Sequence, residues 1–188
     1  MSRRLLTATD LLQLKLVGDV ALSPDGKRVA FVQITMVPET NDYNSRIWLT
    51  APGQEPLPCT EGPKDTYPRW SPDGRYLAFV SELSGSKQIW VLPLAGGEPR
   101  QLTYVGGGCT SPTWSPDGRY IAFVACSDTA ANGPGSADDE ETDLFRKYTA
   151  GVRVITRIYY KLDGEGFLGD RRQVCVVAVG SGKIRQLT

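Results

Sequence analysis

An all-β chain is predicted: a partial β-propeller of about three four-stranded antiparallel blades, with a short N-terminal helix and an incomplete ring. Three observations predict it. A decapeptide recurs as SPDGKRVAFV from Ser23, SPDGRYLAFV from Ser71 and SPDGRYIAFV from Ser115. The copies start 48 and 44 residues apart, a period that suits one blade of four short strands. Each copy is followed by a second apolar run and then a short closing segment, always in that order.

Residues 1–17 are the N-terminal helical segment. Thr7 and Asp10 supply a capping start, and Leu11, Leu12, Leu14 and Leu16 follow, so a helix is expected over residues 7–16. Blade one, residues 18–60, carries the run Ile47-Trp48-Leu49 and closes on Leu57-Pro58-Cys59-Thr60. Blade two, residues 61–104, carries Ile89-Trp90-Val91-Leu92 and closes on Arg100-Gln101-Leu102-Thr103. Blade three, residues 105–188, carries Val174-Cys175-Val176-Val177 and closes on Arg185-Gln186-Leu187-Thr188.

Ser-Pro-Asp-Gly is a hairpin corner. Proline fixes φ at the second position, aspartate bonds nearby backbone N–H groups, and glycine takes the left-handed conformation that ends the turn. The residues after it, such as Tyr76-Leu77-Ala78-Phe79-Val80, are almost continuously apolar. Such a strand is expected to be buried on both faces, between neighbouring blades. Trp70 and Trp114 stand at matching positions before the turn, with Leu22 in the first copy, and packing between blades is the expected role of all three.

Blade three is lengthened by an insertion over residues 125–173. Its first part, Ser127 to Asp143, is rich in Gly, Ser, Ala and Asp and reads as a solvated loop. Its acidic run lacks the spaced oxygen ligands and internal glycine of a calcium loop. Val152 to Tyr160 alternates like a strand, and the chain turns back over Tyr160 to Phe167. Arg153, Arg157 and Tyr159 share one face of that strand. They are weak candidates for substrate contact, with salt bridges at a surface or between blades as the plainer alternative.

Composition removes several function classes. Lys+Arg and Asp+Glu are 21 each, so the charge balance gives no support for nucleic acid or an anionic membrane surface. There is no histidine, the usual general base of serine and cysteine hydrolases and the commonest zinc ligand. Cys59, Cys109, Cys126 and Cys175 show no C-x-x-C spacing. They read as buried thiols of a cytoplasmic protein, an adventitious disulfide being the alternative. No apolar run is long enough for a membrane helix, and Asp10, Lys15 and Asp19 break any signal-like start.

Catalytic motifs fail as well. Gly-x-Ser-x-Gly does not occur. Gly180-Ser181-Gly182-Lys183 lacks the earlier glycine of a phosphate loop and has Ile184 where Ser or Thr is needed, so it reads as a hairpin turn. No catalytic residue, cofactor site or metal site is expected. Rings of this kind need four to eight blades. Three blades are therefore expected to be a piece of a longer polypeptide.

The stretch Pro68-Arg69-Trp70-Ser71-Pro72-Asp73-Gly74-Arg75-Tyr76-Leu77-Ala78-Phe79 resembles the repeat shared by TolB-like proteins and prolyl oligopeptidase family peptidases. Thr9-Asp10-Leu11-Leu12 through Val20 to Gly26 resembles the start of the acylaminoacyl-peptidase-like branch. Val154 to Tyr160, then Asp163 to Phe167 and Asp170-Arg171-Arg172, resemble its long third-blade insertion. The resemblance implies an N-terminal propeller gating a C-terminal α/β-hydrolase domain that carries a Ser-Asp-His triad, with oligopeptide substrates and no cofactor. Its implied partners are that domain and the remaining blades of the same protein. Two other readings stand beside it: a TolB-like propeller serving protein interaction, and a homo-oligomer of such chains completing a ring.

Overall fold

In the computed structural model, the described residues are Leu5, 7–126, 161–162, 166–167 and 172–188. They form three four-stranded antiparallel sheets and one two-stranded ribbon. Sheet one contains β1 (Lys15–Leu22), β2 (Val29–Val37), β3 (Asp42–Thr50) and β4 (Leu57–Pro58), in that spatial order. Sheet two contains β5 (Thr66–Trp70), β6 (Tyr76–Ser81), β7 (Gln88–Pro93) and β8 (Arg100–Gln101). Sheet three contains β9 (Cys109–Trp114), β10 (Tyr120–Cys126), β13 (Arg172–Ala178) and β14 (Ile184–Gln186). The ribbon pairs β11 (Lys161–Leu162) with β12 (Gly166–Phe167) between β10 and β13 in sequence. The architecture is a partial propeller, each sheet being one blade.

The expected N-terminal α-helix is instead a single 3-10 stretch, Ala8–Gln13. Its start matches the sequence: the Thr7 N–H donates to Asp10 Oδ2 at 2.7 Å. It stops early because so short a helix has little intrinsic stability, and the following residues gain more as a strand. Leu16 pairs with Ile34 and Val17 with Gln33, so residues 15–17 belong to β1 and not to a helical segment.

The hairpin corner is built identically three times. The Ser23, Ser71 and Ser115 hydroxyls each donate to the following aspartate's Oδ1 at 2.6 Å. The same oxygen accepts a backbone N–H from Lys27, Arg75 or Arg119 at 3.1 Å. Each serine hydroxyl then accepts the next N–H, from Arg28, Tyr76 or Tyr120 at 2.8, 2.9 and 3.0 Å. Gly26, Gly74 and Gly118 sit at φ of 69°, 68° and 69°, where a side chain would be strained.

Bonds to the ionised form hold Asp25, Asp73 and Asp117 below the ordinary value of 3.8, the serine hydroxyl being the first cause in each. A lowered folded-state value means that the stabilisation is present above 3.8 and lost as pH falls through the folded value. Acidification below that point should therefore loosen the corners. Ser71→Ala should raise the Asp73 titration midpoint, read by carboxyl NMR, while leaving Asp25 unmoved.

A second device closes each blade. The N–H groups of Ile47, Ile89 and Val174 donate to the hydroxyls of Thr60, Thr103 and Thr188 at 3.0, 2.9 and 2.9 Å. The carbonyls of the same three residues accept from Cys59, Leu102 and Leu187 at 2.9, 2.8 and 2.8 Å. These paired bonds pin the short fourth strand, which is too brief to hold itself.

The core lies between blades. Ala30, Val32 and Ile47 of sheet one pack with Leu77 and Phe79 of sheet two. Ala78, Ile89 and Val91 pack with Ile121, Phe123 and Val177 of sheet three. The expected burial on both faces holds for β6, where Leu77 through Ser81 are all buried. It does not hold for β2 or β10. Ala30 and Val32 are buried while Phe31 is only partly so, and Ala122 and Val124 alternate with buried Ile121, Phe123 and Ala125. Only the middle blade has a neighbour on each side among the described residues.

Candidate functional site

The blades meet at their first strands: β1 lies against β5 and β5 against β9, while β4, β8 and β14 make no such contacts with one another. The first strands therefore face the propeller axis, and a site that acts on something passing through the ring lies on them. Each carries a bulge at the same place. Pairing shifts between Gly18 and Val20, between Thr66 and Arg69, and opposite Ala122 to Val124. The residues at the bulges, Asp19, Tyr67 and Ser111, have positive φ of 26°, 55° and 55°. None is glycine, so each position stores backbone strain.

Two of these residues form a polar cluster. Arg69 Nη1 donates to Asp19 Oδ1 and Oδ2 at 3.0 Å each, joining blades one and two. The Arg69 guanidinium also lies 5.9 Å from the centre of the Tyr67 ring. Tyr67 and Ser111 are exposed. Pro68 and Pro112 follow the bulges and offer no N–H to an incoming strand. Bulge and proline together blunt an edge that would otherwise bind extended peptide by strand addition.

Between blades two and three runs a groove of about 760 Å³, with Asp73, Arg100, Trp114 and Asp117 on its walls. Arg100 Nη2 donates across it to the Val179 carbonyl at 2.8 Å. The tryptophans serve the expected packing, with a bond that the sequence did not disclose, whereas Leu22, at the matching place in blade one, is 62% exposed because no preceding blade lies against it among the described residues. Trp70 Nε1 donates to the Ala21 carbonyl at 2.9 Å, and Trp114 Nε1 to the Arg69 carbonyl at 3.0 Å. Each indole thus reaches into the preceding blade, to the residue just before that blade's own Leu22 or Trp70. Arg28 stacks over Trp70 with 4.8 Å between guanidinium carbon and ring centre.

This arrangement can contact and exclude, and among the described residues the thiols of Cys59 and Cys175 are not activated. Burial, then the charge of Asp65, pushes the Cys59 thiol up to about 12, and burial raises that of Cys175. A thiol held protonated is a poor nucleophile. No group of three or more metal-ligating side chains gathers among the described residues, and no helix there is long and apolar enough to cross a membrane. Arg153, Arg157 and Tyr159, the candidates from sequence, lie outside the described residues.

Residues 15–144 match the family model of the TolB beta propeller domain. The chain belongs to that family. This TolB-type propeller is also 37% identical over 191 residues to the uncharacterized peptidase YuxL of Bacillus subtilis. That alignment covers 99% of the propeller chain but 28% of YuxL, so the chain spans a little over a quarter of its relative. Among solved structures, the fold matches Pyrococcus horikoshii acylaminoacyl peptidase with a TM-score of 0.71 at 18% identity. The match covers 95% of this chain and 26% of that one. A putative TolB from Agrobacterium tumefaciens matches with a TM-score of 0.55 at 21% identity, over 89% of this chain and 47% of that one.

Proposed function

We propose that this TolB-type propeller is the non-catalytic, access-restricting part of a serine peptidase that hydrolyses oligopeptides beside a C-terminal α/β-hydrolase domain. The observation that carries the reading is the identity of 37%, sustained along 99% of the chain, to a peptidase more than three times its length. The chain supplies no histidine, so the general base of an acyl-enzyme mechanism must stand in the other domain. Its own contribution is steric and electrostatic. Bulged axial strands with blunted edges let a short extended peptide pass without adding to a sheet, and the stacked blades exclude a folded protein. The same reading sets the protein in the cytoplasm, in keeping with thiols at Cys59 and Cys175 that form no disulfide among the described residues.

The test is hydrolysis of acylated and free-amine peptide p-nitroanilides. The full-length protein should cleave one class and be blocked by a serine-directed phosphonate. The 188-residue chain should not exceed the buffer rate. Turnover by the short chain, or a full-length protein inert to both classes, would overturn the proposal. The likeness to TolB favours a second reading, a protein-interaction module, for which full-length protein would bind a protein partner and hydrolyse nothing.

A further inference from the structure

A cleft between blades one and two carries two orphaned polar groups of opposite kind. It has a volume of about 580 Å³, within the range of small-molecule sites. Its walls come from the crossing between β4 and β5, from β6 and β7, and from the turn between β7 and β8. Asp65 and Trp90 both line it. Asp65 is 1% exposed, and its Oδ2 accepts the Gly62 N–H at 3.0 Å. Its Oδ1 is buried and has no partner among the described residues. A methyl group at Gly62 would collide with that oxygen, so the glycine makes room for the carboxylate. Trp90 Nε1 is likewise buried, with no acceptor among the described residues. An acceptor and a donor left unsatisfied beside one cavity call for a molecule that supplies the converse of each. Neither atom has a bond to give up when one arrives.

Blade two shows that the fold does not require this vacancy. Cys109 precedes Trp114 at the same spacing as Asp65 precedes Trp70. The N–H groups of Asp65 and Cys109 bond the matching carbonyls of Ser45 and Lys87, at 2.9 and 2.7 Å. In blade two the polar groups of the crossing are satisfied from within. The Gln88 Oε1 accepts from the Val105 N–H at 3.0 Å, and its Nε2 donates to the Val105 carbonyl at 2.7 Å. Arg46 stands at the place of Gln88 in blade one, next to Ile47 as Gln88 is next to Ile89, and it is exposed. The crossing after blade one thus holds a carboxylate and lacks the amide that would fill it.

Charge narrows the choice of ligand. Glu61 and Glu98 join Asp65 on the walls, and no Lys or Arg does so among the described residues. The field in the cleft therefore favours a cation. Phe79 and Leu92, 2% and 8% exposed, add apolar surface, and aromatic walls suit an organic ammonium. A metal ion fits less well, because no group of three or more ligating side chains gathers among the described residues and an indole N–H only donates. We propose that this cleft binds a small organic ammonium that also carries a neutral oxygen acceptor and an apolar body, with Asp65 pairing the ammonium and Trp90 Nε1 donating to the oxygen. An α-amino amide is the simplest such molecule. No residue of the axial strands β1, β5 or β9 lines the cleft, so it stands apart from the path through the ring. The proposal does not depend on the peptidase reading.

Calorimetry and NMR on the full-length protein test it, with phenylalaninamide as the probe at about pH 6, where its amine is charged. Binding should saturate. N-acetylphenylalaninamide keeps the ring and the oxygen but has no charge, and it should bind about tenfold more weakly or worse. Asp65→Asn should weaken phenylalaninamide by a similar factor, and Trp90→Phe by about two- to tenfold. In a spectrum of nitrogen-15 tryptophan, the indole N–H signal that Trp90→Phe removes should move when the probe is added. The signals of Trp70 and Trp114, already bonded to carbonyls, should stay in place. Absence of saturation would mean that water alone satisfies the two atoms, and it overturns the proposal. Binding indifferent to acetylation overturns it too, as does a Trp90 signal that stays still while heat is released, since the probe is then held elsewhere. If Asp65→Asn does not fold, acetylation and the Trp90 signal decide the matter on the unsubstituted protein.

Discussion

Phe123→Ala should lower the unfolding free energy of this chain by about 3–5 kcal/mol, the range for truncating a large buried side chain whose surroundings cannot close over the gap. Phe123 is 2% exposed and stands in the middle strand of blade three, facing blade two among Ile121, Ala78 and Val91. The walls of that cavity are strands pinned by ladder bonds on both sides, so they relax little. Tyr120→Ala provides the contrast: Tyr120 lies on the same strand, is 43% exposed and faces away from blade two. Its loss should amount to less than about 1 kcal/mol in this chain. Urea unfolding of both variants measures the difference. Equal losses would mean that blade three is not held by its inward face.

Much of this fold is legible in the sequence because the repeat states each corner three times. Proline, aspartate and glycine at fixed places specify a turn, and the glycine φ values bear that out. The serine's part is less plain in the sequence, although Ser-x-Asp spacing is what a side chain needs to bond its own turn. Burial was legible only where the chain supplies both neighbours. Phe79 and Phe123 sit in nearly identical decapeptides, yet the strands around them differ in which faces are covered. That difference comes from blade order, which a local pattern does not encode. The N-terminal stretch misled for a related reason: its capping signal is real, but strand pairing with β2 outweighed a helix of under three turns.

The axial cluster was less legible. Asp19, Tyr67 and Ser111 share a left-handed backbone but no side-chain chemistry, so no residue type marks the bulge. The signal available was positional: each stands three residues before Leu22, Trp70 or Trp114, and prolines follow the second and third. In the sequence Arg69 is visible only as part of the repeat, because its pairing with Asp19 across 50 residues depends on how two blades stack.

Gln88→Leu should also be severe, at about 3–5 kcal/mol, and for a reason unlike Phe123→Ala. Leucine nearly matches glutamine in volume, so little cavity opens. What is lost is pairing. Gln88 is 3% exposed, and its Oε1 accepts from the Thr103 hydroxyl at 2.9 Å as well as from the Val105 N–H. Leucine strands both donors and the Val105 carbonyl in a dry interior, each orphaned group costing about 1–3 kcal/mol. Thr103→Val removes one of those donors and the acceptor of the Ile89 N–H. The two substitutions share a bond, so the double variant should lose less than the sum of the singles by about 0.5–3 kcal/mol. A double-mutant cycle in urea reads this coupling. Strict additivity, or a Gln88→Leu loss under about 1 kcal/mol, would show that the crossing from blade two to blade three is not held by this amide.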